Sequence, residues 1–198
     1  MKSAVPTTRV VIEETWTKFA ARHGLTLFRH GHGLLLGVKG HAAENVELAI
    51  SERLDGLECA AWPALPSTEE FVLCDASYVA WCQRPAVRRV ADEGERLSRR
   101  RDVAEWPPLV RAYCLPHLYT PIPALTGEPA FDARFSWLVA VGTLHLDPPL
   151  RHALMALPEP VFVSALVRVV RVRLPFAVLD DDVLTRFRAV LAALPAPA

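Results

Sequence analysis

The sequence predicts an α+β fold: a mainly antiparallel sheet packed against three or four helices. Three observations lead there. Apolar residues recur at helical spacing near both ends of the chain. Between them, short β-branched or alternating runs are separated by turn residues. Few strand–helix–strand crossovers intervene, which disfavours a doubly wound parallel sheet.

The elements follow in order. Residues 1–7 read as a loose tail. Val10 to Arg22 is an amphipathic helix, with Ile12, Trp16, Phe19 and Ala20 on one stripe. Thr8 can cap its start, and Gly24 can supply its left-handed stop. Leu25–Arg29 and Leu34–Lys39 read as a hairpin, with His30-Gly31-His32-Gly33 as its tip. Val46–Leu54 and Leu57–Ala64 form the next pair, joined by the turn dipeptide Asp55-Gly56. Together these runs give a four-stranded meander. Phe71–Cys74 is β-like, and Tyr78–Cys82 either extends it or begins a new element. Pro85–Arg101 reads as a polar helix, Leu109–Leu115 as a strand, and Pro116–Leu125 as extended chain stiffened by three prolines.

The last third is the most legible. Ala133–Val141 alternates as a strand, with Phe135, Trp137, Val139 and Val141 on one face. Asp147-Pro148-Pro149 starts a helix that Pro158 stops. Val161–Leu174 is one long bent strand or two strands turning near Ser164. Asp180 to Asp182 open a final helix whose apolar face includes Val183, Leu184, Phe187 and Val190. Residues 195–198 read as a second loose tail.

At 198 residues the chain suits one large domain or two small ones, and the reading is a single domain over 1–198. Such a chain buries roughly 70% of the surface its unfolded form exposes, so it needs no staples. Lys plus Arg number 22 and Asp plus Glu 22, which removes the basic excess of a general nucleic-acid binder. The 52% hydrophobic content removes a disordered chain. The longest apolar stretch, Val161 to Leu179, carries Arg168, Arg171 and Arg173, a composition too costly for a bilayer span. No secretory signal stands at the start, so the expected compartment is the cytoplasm. Cys59, Cys74, Cys82 and Cys114 form no C-x-x-C pair and are expected to be reduced, buried small hydrophobes.

Two motifs carry a resemblance. The helix contains Trp16-Thr17-Lys18-Phe19-Ala20-Ala21-Arg22-His23-Gly24-Leu25, and Thr126-Gly127-Glu128-Pro129-Ala130-Phe131-Asp132-Ala133-Arg134-Phe135 follows later. The pattern resembles a group of uncharacterised bacterial proteins with a W-x-x-F-A-x-x-H-G-L helix and a T-G-x-x-x-F-D-x-x-F turn. The resemblance spans about 40 residues and implies a bacterial α+β protein, with no activity to carry over.

The chemistry-bearing residues separate the function classes. No G-x-G-x-x-G, P-loop or G-x-S-x-G motif is present, so no cofactor is implied. Between Arg84 and Arg111 there are eight Arg and five acidic residues. Arg88, Arg96, Arg99, Arg100 and Arg101 form the basic cluster of this variable middle, residues 84–123, and Trp106-Pro107-Pro108 supplies an aromatic anchor. The leading expectation is therefore a non-enzymatic regulator, adaptor or toxin-neutralising module whose partner is another protein. The competing class is an enzyme or ligand binder, metal-dependent through His30, His32 and His41 or thiol-dependent through Cys114 and His117. Asp132 is either a general acid or base or the fixer of its own turn, and the turn chemistry of Thr126-Gly127 favours the latter.

Overall fold

The computed structural model describes residues 8–30, 33–37, 49–53, 56–61, 70–84, 126–135, 137–141, 146–166 and 169–194. They form an α+β fold around one eight-stranded sheet. In chain order the elements are α1 (Thr8–His23), β1 (Thr26–His30), β2 (Gly33–Gly37), β3 (Ala49–Arg53), β4 (Gly56–Ala61), β5 (Glu70–Cys74) and α2 (Ala76–Cys82). Then come α3 (Pro129–Arg134), β6 (Trp137–Val141), α4 (Pro148–Met155), β7 (Phe162–Leu166), β8 (Val169–Pro175) and α5 (Asp181–Ala192). The strand order is β1-β2-β3-β4-β8-β7-β5-β6, and every described pair is antiparallel.

The first four strands are the expected meander. Their registers, however, tighten the connections. His30 pairs with Gly33, so both belong to strands and only residues 31 and 32 link them. Arg53 pairs with Gly56 in the same way, so Gly56 opens β4 instead of completing a turn. Its glycine identity has another cause. A Cβ there would meet the Leu174 carbonyl oxygen and lie 2.7 Å from the Pro175 Cα, because β8 runs hard against β4 at that point.

One further expectation is corrected, and two that the sequence left open are decided. Ala133 and Arg134 close a short helix, and the strand begins only at Trp137. Pro129 in the first turn and Asp132 beside it favour the helix. Ser164 lies in the middle of β7, which runs on to Leu166, the partner of Val169 in the antiparallel β8. Tyr78–Cys82 is helical, because Asp75 caps the segment: its carboxylate accepts from the Tyr78 amide at 2.7 Å. The expected elements at 85–101, 109–115 and 116–125, and both tails, lie outside the described residues.

Strand alternation gives the sheet two different faces. On the first face, Ile50, Leu57, Cys59, Phe71, Leu73, Val163, Val172 and Leu174 join one apolar core with Trp16 and Phe19 of α1, Phe131 of α3, Leu150 and Leu154 of α4, and Val183 and Phe187 of α5. Helix ends are closed locally around that core. Gly24 at φ 66° stops α1, and the Leu25 amide donates to the Ala20 carbonyl at 2.9 Å. The Asp180 carboxylate accepts from the Val183 amide at 2.8 Å and starts α5. On the second face lie Phe162, Ser164, Val72 and Cys74, and α2 packs against this face with Tyr78, whose ring is 5.1 Å from that of Phe162.

Candidate functional site

The second face carries the polar groups that the first excludes. One row across it reads Glu58, Arg173, Phe162, Cys74 on β4, β8, β7 and β5. Arg173 Nε donates to Glu58 Oε2 at 2.6 Å, and both side chains are largely covered, at 28% and 12% exposure. The same guanidinium lies over the Phe162 ring at 5.2 Å and bonds the Tyr78 hydroxyl. Tyr78 in turn bonds the Cys82 thiol. The parallel row reads Ala60, Arg171, Ser164, Val72. Ser164 is fully buried, and its hydroxyl has no hydrogen-bond partner among the described residues.

A second cluster fastens the end of this face. The Asp75 carboxylate also accepts from the Val161 amide at 3.0 Å. Arg134 donates to the carbonyls of Met155 (2.5 Å) and Leu157 (2.7 Å), which the end of α4 leaves unpaired. Its Nη2 lies 3.9 Å from Asp75 Oδ2. Its Nε is 3.3 Å from Glu159 Oε1 without hydrogen-bond geometry, and Ser77 Oγ donates to the other Glu159 oxygen at 3.2 Å. Burial pushes the Asp75 carboxyl up to about 6, against the opposing pull of its two backbone hydrogen bonds and Arg134. Asp75 is almost fully enclosed, so this cluster locks α2, α3, α4 and β7 together and offers no open general base.

The loop after β8 has a different character. Phe176 adopts φ 65°, a conformation costly for an aromatic residue, and its side chain is half exposed. Val178 is 74% exposed. These are the exposed large hydrophobics among the described residues, and the Arg84 guanidinium sits 4.9 Å over the Phe176 ring.

The residues singled out in the sequence fare unevenly. Trp106, Arg88, Arg96, Arg99, Arg100 and Arg101 lie outside the described residues, as do His32, His41, Cys114 and His117. His30 is the last residue of β1, paired with Gly33, where the sequence reading put it in the hairpin tip. Asp132 is the turn fixer: it accepts from the Thr126 amide (2.9 Å), the Thr126 hydroxyl (2.8 Å) and the Gly127 amide (3.1 Å). The Thr126 amide bond is the main reason its carboxyl is held below the usual range. Among Asp180 to Asp182, the first caps α5, and Asp181 accepts from Arg22 at 2.7 Å and lies 2.8 Å from His23 Nε2, clamping α1 to α5. Cys59, Cys74 and Cys82 are buried free thiols. Burial pushes Cys59 and Cys82 up to about 12 and Cys74 higher, so none of the three is poised as a thiolate.

Two features escaped the sequence reading. The two charges at Arg171 and Arg173, two residues apart in an apolar run, were the available signal for the polar rows. Nothing local marks Phe176 as strained. Among the described residues, no helix is long and apolar enough to cross a membrane, and no three His, Cys, Asp or Glu side chains gather to hold a metal ion. No family model, no curated protein and no solved structure matches the chain.

Proposed function

We propose that the chain is a non-enzymatic protein–protein interaction module of the adaptor or toxin-neutralising type, working in a bacterial cytoplasm. Its contact surface is the β8–α5 loop with Arg84, the residue at which the Arg-rich stretch of the sequence begins. The observation that supports this reading is Phe176. An aromatic ring is displayed to solvent on backbone that resists the conformation, with an arginine stacked on it. Folding gains little from such a display, whereas aromatic and arginine side chains dominate the energetics of protein interfaces. Backbone strain retained at a surface loop is characteristic of sites that bind.

The test is site-specific. A photo-crosslinking residue at position 178, introduced in cells of the source organism, is expected to give a discrete adduct of higher mass. The same residue at exposed Ala192 serves as the control. Phe176→Asn removes the ring while Asn tolerates positive φ, so the folded variant is expected to lose the adduct. An adduct that survives Phe176→Asn, or none at position 178, overturns the site.

A further inference from the structure

We infer that the partner at the β8–α5 loop is a protein segment that sets an Asp or Glu carboxylate on the Arg84 guanidinium, while apolar side chains beside that acid cover Phe176 and Val178. This rests on the interaction surface proposed above and names what that surface reads. Arg84 carries the argument. Its amide donates to the Trp81 carbonyl at 3.1 Å, which fixes its backbone at the end of α2, and its guanidinium is held 4.9 Å over the Phe176 ring. Arg22, Arg134, Arg151, Arg173 and Arg186 each have a carboxylate partner. Arg84 is exposed and has none among the described residues.

The ring and the cation can only be covered together. A partner that buries Phe176 strips water from the charge resting on it. A desolvated cation without a counter-charge opposes binding, so the partner has to bring one. A cation–π contact draws on the charge and leaves the N–H donors of the guanidinium unspent, and that fork matches a carboxylate. On the adjoining strand and helix the carboxylates are taken: Glu58 is engaged by Arg173, and Asp180 accepts from the Val183 amide at the start of α5. Val178, 74% exposed, extends the apolar part of the surface. The loop then runs into Asp180, Asp181 and Asp182, all exposed. Carboxylates placed there repel an extended polyanion such as a nucleic acid, which leaves a single acid set among apolar residues as the fit.

The test uses the full chain with the photo-crosslinking residue at position 178, in cells of the source organism. With Arg84 intact, mapping the adduct is expected to place the crosslinked site within a few residues of an Asp or Glu flanked by apolar residues. Arg84→Gln is expected to lower the adduct yield on the order of tenfold, the loss of one charge-assisted hydrogen-bonded pair. Arg84→Glu is expected to lower it about tenfold further, because like charges then face each other. Arg84 is exposed, so both variants are expected to keep the wild-type unfolding midpoint, and the mapping depends on neither. An adduct mapped to a stretch without an acid overturns the inference. So does an Arg84→Glu yield equal to that of Arg84→Gln, since the charge is then not read. Either result leaves an adduct that depends on Phe176, so the interaction surface stands. A nuclease-sensitive adduct, or none at position 178, removes both.

Discussion

The two faces of the sheet solve different problems with the same strands. Val163, Val172 and Leu174 point to one side and pack against α1, α3, α4 and α5 in a core of apolar groups. Their neighbours Phe162, Ser164 and Arg173 point to the other side, which carries an ion pair, a buried hydroxyl and, through α2, a tyrosine–cysteine contact. Apolar burial stabilises in proportion to area and asks little of geometry. Buried polar groups stabilise only when every partner is placed, and otherwise cost free energy. The first face therefore supplies the apolar burial that drives folding, and the second makes stability depend on how each polar group is placed.

The sharpest way to break that contrast is to empty the first face. Phe187→Ala removes a fully buried ring from α5 and is expected to cost about 3–5 kcal/mol in urea unfolding. A loss below about 1 kcal/mol would mean that the helices do not depend on this core.

On the second face, Gly56→Ala is expected to cost about 2–3 kcal/mol. The new Cβ meets the backbone of Leu174 and Pro175, which cannot yield as a flexible side chain would. Full stability in this variant would show that β4 and β8 are not so closely apposed.

The pH dependence comes next. Asp75 has a folded value of about 6, above the ordinary 3.8, so the folded chain holds this proton more tightly than the unfolded one. The stability it contributes is complete below the ordinary value and is lost as the pH climbs through about 6. Between about pH 4.5 and pH 7 that amounts to about 2 kcal/mol. Asp75→Asn is expected to remove this part of the slope, as measured by paired denaturation curves. An unchanged slope would show that the two backbone bonds and Arg134 outweigh burial.

The smallest effect is a gain. Phe176→Gly relieves the positive φ and is expected to raise stability by up to about 1 kcal/mol while deleting the exposed ring. A destabilised variant would mean that the ring supports the fold through Arg84, which would remove the case for a binding loop.

How much of this was legible depended on how local the cause was. The stop of α1 at Gly24, the Asp180 cap and the Asp147-Pro148-Pro149 start are decided within one turn of chain, and they stand where the sequence put them. The meander β1 to β4 came from the runs and turn residues around it. Ala133 and Arg134 were misread because alternation before Trp137 looked continuous, while Pro129 and Asp132 favoured a helical turn. Of the candidate site, Arg171 and Arg173 were visible as charges in an apolar run, but the partners of Arg173, Glu58 and Tyr78, and the strand neighbour of Arg171, Ser164, were not.

The sequence by itself determined the class of fold, the stop of α1, the starts of α4 and α5, the meander and the apolar face of α5, because caps, turns and periodicity act over a few residues. Only the tertiary structure decided that β8 would pair with β4 and β7, and that β5 would stand between β6 and β7. These pairings join segments far apart in the chain, and their hydrogen bonds between backbones carry no residue code. The same pairings set Arg173 against Glu58, put Arg171 beside Ser164, and made Gly56 a matter of close approach instead of a turn.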